Sequence, residues 1–185
     1  MSEVKNTINS LKGGEVILYP TDTIWGIGCS ALNESAIDKI FEVKQRPKEK
    51  KLILLASDIE MLNNYVGEIP GKLKTLLNTS EEPISIIYSN AKNLPSCLLG
   101  PDKSIAIRIP NNDFCKQVIK GLGHPITSTS ANISGQPIAK CFKEIQTPIL
   151  KGVDYIVNLH QDETTLSKAS KVARLEKDTI HFIRN

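Results

Sequence analysis

Short apolar runs, each giving way to polar sequence and then to a segment with helical spacing, constrain this chain more than any other feature. Val16-Ile17-Leu18, "LILLA" (52–56), "ISIIYS" (84–89) and "SIAIRIP" (104–110) are too short for buried helices and rich in β-formers. "PITSTSANISGQP" (125–137) starts in the same way and dissolves into small hydroxylated residues. Between these runs, Val4, Ile8 and Leu11 share one face of a helix over 3–12 that Gly13-Gly14 ends. Asn33 caps a second helix carrying Ala36, Ile37, Ile40, Phe41 and Val43; it ends near Gln45, because Pro47 biases Arg46 away from helical dihedrals. Ser57 with Glu60 predicts a capping box for a helix over 58–65, and a further short helix covers 70–77. Asn111 to Leu122 sets Phe114, Val118, Ile119 and Leu122 on one face. "DYIVNL" (154–159), "ASKVARL" (169–175) and "TIHFIR" (179–184) read as closing strands. Helices interleaved with about seven strands predict an α/β fold, a twisted mixed sheet with flanking helices.

With 185 residues, the chain is expected to form one domain over 1–185 with a core of its own. No apolar run approaches the roughly 18 residues that would span a membrane, and the N-terminus carries neither an export nor a transit pattern. A cytoplasmic location follows as an expectation. Cys29, Cys97, Cys115 and Cys141 are far apart and have no histidine at ligand spacing. They are expected to be free thiols, largely buried, with no resident metal site.

Three polar segments stand where folding alone does not require them. "YPTDTIWGIGC" (19–29) leaves the first strand through Thr21, Asp22 and Thr23, beside glycines that let a ligand approach the backbone. Its local alternative is a wide loop whose Thr and Asp bond their own backbone. "KQRPKEKK" (44–51) places Lys44 and Arg46 across a helix end, where both can converge on one anion, or else form a solvated basic terminus. Thr127, Ser128, Thr129, Ser130, Asn132 and Ser134 can cradle phosphate oxygens, without the order of a P-loop. Arg108 lies opposite Ile105, Ile107 and Ile109 on strand alternation, so it faces either solvent or a site on the sheet. No histidine partnership or Gly-x-Ser-x-Gly context supports a hydrolytic nucleophile. Lys, Arg, Thr, Ser and Asn without an evident general base suit a reaction driven by positioning charged substrates, such as nucleotidyl transfer. "HQDETTLSK" (160–168) is a candidate loop over such a site.

In order along the chain, "YPTDTIWGIGC", "KQRPKEKKLILLA", "SIAIRIP" and "TSTSANISGQP" resemble the four motifs of the YrdC-type threonylcarbamoyl-AMP synthase family. The resemblance implies a positively charged concave cleft and an enzyme that joins L-threonine, bicarbonate and ATP, with Mg2+, into L-threonylcarbamoyl-adenylate and pyrophosphate. Partner proteins would then transfer the threonylcarbamoyl group to tRNA. Carried onto matching positions, Thr23 and Arg108 would hold threonine. Lys44, Arg46, Ser130 and Asn132 would hold the nucleotide, with Lys50, Ser104 and Ser170 as further contacts from less closely matching segments. Leu55 stands where many longer members have histidine, Ser85 where they have threonine, and Ala169-Ser170-Lys171 where they have Pro-Ser-Thr. The chain resembles the short, single-domain form. Two other readings compete: a non-catalytic tRNA or double-stranded RNA binding module, and carbamoyl-adenylate handling for another acceptor. Only 5% of residues are aromatic and the net charge is +3, which leaves few stacking platforms and little electrostatic excess for the first.

Overall fold

The computed structural model describes residues 2–80, 82–163, 169–176 and 179–184. In chain order the elements are α1 (Glu3–Lys12), β1 (Ile17–Tyr19), β2 (Gly26–Gly28), α2 (Glu34–Val43), β3 (Ile53–Leu55), α3 (Ile59–Val66), α4 (Gly71–Thr79), β4 (Ile84–Tyr88), β5 (Ile105–Arg108), α5 (Asp113–Leu122), β6 (Ile126–Ser130), α6 (Thr147–Gly152), β7 (Tyr155–Ile156), β8 (Lys171–Glu176) and β9 (Thr179–Arg184). The strands form one mixed sheet in the order β7-β1-β2-β6-β3-β5-β4-β8-β9. The expected α/β architecture is therefore present, with nine strands among the described residues rather than about seven.

Strand alternation sorts the apolar residues onto two faces. Val16, Leu18 and Leu54 pack into the larger core with Ile37 and Ile40 of α2, Leu62 of α3 and Ile149 of α6. Ile17, Tyr19 and Leu55 pack into a smaller one with Leu11 of α1 and Val118, Ile119 and Leu122 of α5. Arg108 is the register partner of Leu55 in the parallel β3–β5 pair, so it lies on the face that α1 and α5 only partly cover.

Side-chain caps fix three helix starts. Asn33 accepts from the Ala36 N–H at 3.0 Å and Asn112 from the Cys115 N–H at 2.9 Å. The capping box at Ser57 is displaced by one residue. Asp58 accepts from the Met61 N–H at 2.8 Å, while the Ser57 hydroxyl donates to Asp58 instead. A carboxylate at the N-cap also meets the positive end of the helix dipole.

β2 is the strand that sequence patterning misses. Gly-Ile-Gly has little β-propensity, yet its backbone pairs with β1 on one side and β6 on the other. Close approach explains the glycines: a Cβ on Gly28 would lie 2.2 Å from the Thr127 carbonyl oxygen and 3.0 Å from the Tyr19 ring. The six residues between β1 and β2, Pro20 to Trp25, form a wide connection at the edge of the uncovered face.

Candidate functional site

That connection is organised from within. Thr21 Oγ1 accepts the N–H groups of Thr23 and Ile24 at 3.0 and 3.2 Å and donates to the Ile24 carbonyl at 2.8 Å. Thr21 and Thr23 hydroxyls meet at 2.9 Å. The local reading of this segment thus holds for Thr21, which bonds its own backbone, but not for Asp22, which bonds across the fold to Arg108 and Asn111. The knot fixes Thr23 against Arg108, whose Nη2 lies 3.5 Å from Thr23 Oγ1.

Arg108 is 2% exposed, so the solvent-facing alternative for it is overturned. Strand alternation gives the right face, but the loop after β1 folds over that face from 86 residues away in sequence. Its Nη1 forms an ion pair with Asp22 Oδ1 at 2.5 Å, and Asp22 Oδ2 accepts the Asn111 N–H at 2.9 Å.

A cavity opens beside this pair, lined by Thr21, Thr23, Arg46, Lys51, Arg108, Ser128, Ser130 and Ser170, with Ile24 and Ile138 as apolar lining. The first, second and third motifs of the sequence therefore converge with the hydroxyl-rich β6 segment. Of the residues expected to form the site, Thr23, Arg46, Arg108, Ser130 and Ser170 line it together. Ser170 comes from the far side of the sheet order, at the start of β8, and its hydroxyl meets that of Ser85 at 2.9 Å.

The other four stand elsewhere. Lys44 is 1% exposed and does not face the cavity. Its ammonium donates to the carbonyls of Ser130 and, at 2.6 Å, Asn132, so it braces the β6 exit from behind instead of converging with Arg46 on one anion. Burial, and then the charge of Arg46, pulls its pKa down to about 7. Asn132 is also turned inward: Oδ1 accepts from Ser130 Oγ at 2.5 Å, and Nδ2 donates to the carbonyls of Ile133 and Gln136 at 3.1 and 2.6 Å. Lys50 is exposed and offers its carbonyl to Arg46 Nε at 2.7 Å. Ser104 precedes β5 at the end opposite Arg108.

Lys51, passed over in favour of its neighbour, does reach the cavity and donates to the Cys97 carbonyl at 3.0 Å. Lys50 ends a tight turn in which its N–H donates to the Pro47 carbonyl at 3.0 Å, and Lys51 follows it before β3 begins; a turn of this kind leaves no periodic trace that would distinguish the two lysines. Arg46 is likewise oriented by main chain, with Nε on Lys50 O and Nη2 on Lys51 O at 3.0 Å.

Burial pushes the thiols of Cys29 and Cys115 up to about 12, which keeps both protonated at neutral pH. Cys97 and Cys141 are half-buried. Trp25 is buried and packed against Phe142, ring centroids 5.1 Å apart. His160 and Glu163 border a small cleft next to Thr21 and Trp25; residues 164–168 of the candidate loop lie outside the described residues.

Known proteins carry the same architecture. Residues 9–185 match the Sua5/YciO/YrdC family model, described as telomere recombination. The threonylcarbamoyl-AMP synthase of Pseudoalteromonas translucida is 36% identical over 160 residues, covering 85% of this chain and 86% of that protein. The threonylcarbamoyl-AMP synthase of Vibrio parahaemolyticus is 34% identical over 168 residues, covering 89% of each. Among solved structures, E. coli YciO superposes with a TM-score of 0.84 at 26% identity, over 98% of this chain and 88% of its own. P. abyssi Sua5 complexed with L-threonine superposes with a TM-score of 0.85 at 24% identity, over all of this chain and 54% of its own. The chain thus spans about half the length of that Sua5. Ordered motifs, sheet topology and these relatives agree, and the chain belongs to the Sua5/YciO/YrdC family.

Proposed function

We propose that this chain is an L-threonylcarbamoyladenylate synthase, which makes threonylcarbamoyl-AMP and pyrophosphate from L-threonine, bicarbonate and ATP for threonylcarbamoyladenosine modification of tRNA. The observation that carries the reading is the convergence of Thr23, Arg46, Arg108, Ser130 and Ser170 on one cavity. It is supported by relatives of nearly full coverage that bear the name of that activity.

Each residue type suits a part of the chemistry. Threonine's amine and bicarbonate give a carbamate with loss of water. A carbamate oxygen then attacks the α-phosphorus of ATP, the bond to the β-phosphate oxygen breaks, and pyrophosphate leaves. Arg108 and Thr23 serve the amino acid, the one as carboxylate partner and the other as a hydroxyl fixed by Thr21. Arg46 and Lys51 neutralise phosphate charge, and Ser130 and Ser170 offer hydroxyls to the nucleotide. Lys44 and Asn132 act on the nucleotide through the β6 exit that they hold. Lys50 and Ser104, set away from the cavity, take no part in this scheme. Rate then comes from charge neutralisation and alignment, without a covalent intermediate.

Among the described residues no group of three or more His, Cys, Asp or Glu could hold a metal ion. We read magnesium as the counter-ion of the ATP substrate. We read residues 1–185 as one catalytic domain acting in the cytoplasm, where tRNA and the proteins that accept the adenylate reside. No helix among the described residues is long and apolar enough to cross a membrane.

The basic cluster of 44–51 is divided among different partners. Lys44 is buried, Arg46 and Lys51 turn to main-chain carbonyls, and Lys48 pairs with Asp38 at 2.6 Å. We read transfer to tRNA as the work of partner proteins. Purified protein given ATP, bicarbonate and magnesium should release pyrophosphate only when L-threonine is added. Release without threonine, or none with it, overturns the proposal.

A further inference from the structure

Asp22 has no part in the scheme above, yet among the described residues it is the only carboxylate bonded to Arg108. The two residues face different spaces. Arg108 lines the cavity, whereas Asp22 lines a separate cleft with Asn111, Ser57 and Lys116. A guanidinium has five N–H donors in a planar fork. Asp22 takes Nη1 from one side, and its second oxygen is fixed by the Asn111 N–H, so the carboxylate cannot swing away. On the other edge lie Nε, which is buried and has no hydrogen-bond partner among the described residues, and Nη2, whose contact with Thr23 Oγ1 is long at 3.5 Å. A buried unpaired N–H is costly in a native structure unless something that binds there completes it. The Nε–Nη2 edge is the edge that receives a carboxylate through two parallel hydrogen bonds.

We propose that Asp22 is a positioning residue for amino-acid recognition: it holds Nη1 and leaves the Nε–Nη2 edge of Arg108, which has no carboxylate partner of its own, as the receptor for the substrate's carboxylate. The inference rests on the synthase reading. Anchoring also sets the charge of the receptor. Arg108 with Asp22 is neutral as a pair, so a ligand gains little from being merely anionic and most from matching the planar fork. An unanchored Arg108 would instead be a bare cation within reach of the triphosphate. Asp22 thus separates the carboxylate subsite from the phosphate subsite formed around Arg46.

The test compares the parent with Asp22→Asn and Asp22→Glu in threonine-dependent pyrophosphate release, with L-threoninamide as an alternative substrate and calorimetric titration of threonine and ATP. The asparagine amide must turn its NH2 toward either Nη1 or the Asn111 N–H, both donors, and in either orientation Arg108 loses its charged anchor. Asp22→Asn should raise KM for threonine about tenfold or more, leave KM for ATP within about twofold, and reduce the preference for threonine over threoninamide about tenfold. Asp22→Glu keeps the charge but adds a methylene, so its KM for threonine should rise by only about threefold. That variant carries the test alone if Asp22→Asn does not fold. Equal rises in KM for threonine and ATP, or an unchanged acid-to-amide preference, would show a merely structural role and overturn the inference. A threonine-dependent parent that neither substitution alters overturns the inference and leaves the synthase reading standing. A parent that neither binds threonine nor depends on it overturns both.

Discussion

Lys44 ends in a nest of main-chain carbonyls, and its burial makes it a titrating part of the fold. Its pKa is lowered from 10.5 to about 7, mainly by desolvation. Between about pH 7 and about pH 10.5 the unfolded chain holds a proton on Lys44 that the folded chain has released. The contribution of Lys44 to stability therefore improves as pH rises through that window; below it both states are charged and the burial cost is complete. Urea unfolding of the parent and of Lys44→Met should show the parent gaining relative to the variant between about pH 6.5 and about pH 9.5; a difference that does not change with pH would refute this. The residue type and the site's neighbourhood were legible in the sequence, but the direction of the side chain was not. Lys44 and Arg46 flank Gln45, whose φ of +49° turns the chain sharply, and a backbone reversal of that kind leaves no periodic trace. Asp22 and Arg108 were hidden for a related reason: each looks solvated until a partner 86 residues away arrives.

At the scale of elements, the helices were legible because their caps are local. Asn33 and Asn112 each write a helix start into three or four residues. The strands of the site were less so, since β2 exists only through pairing with β1 and β6. Its glycines can be tested by contrast. Gly28→Ala forces a methyl into the Thr127 carbonyl, 2.2 Å away, and should cost about 1–3 kcal/mol or more of stability. Gly71→Ala, at the first residue of α4 with nothing within 4 Å of the added methyl, should stabilise by about 0.5 kcal/mol through the unfolded chain. Denaturant midpoints at constant slope measure both. If Gly28→Ala proved neutral, the close approach of β2 to β6 would be wrong.

For the whole molecule, the sheet order matters more than any one motif. β3 and β5 run parallel at its centre, β6 antiparallel beside them, and β8 joins from the other side through β4. Residues from positions 21 to 170 thereby reach one cavity, so binding there couples to global unfolding. ATP at about a hundredfold excess over its dissociation constant should add about 2.7 kcal/mol, raising the melting temperature by roughly 5–10 °C. Arg46→Ala should lose most of that rise, because it removes a forked phosphate partner; an undiminished shift would detach Arg46 from the nucleotide. The same packing has an optical consequence. The chain has a single tryptophan, Trp25, and it is 2% exposed, two residues from Thr23 in the connection that holds Arg108. Its indole emission comes from one apolar position against Phe142. Changes in the loop that carries Thr21, Asp22 and Thr23 can therefore be followed by intrinsic fluorescence in unlabelled protein, substrate by substrate and in real time.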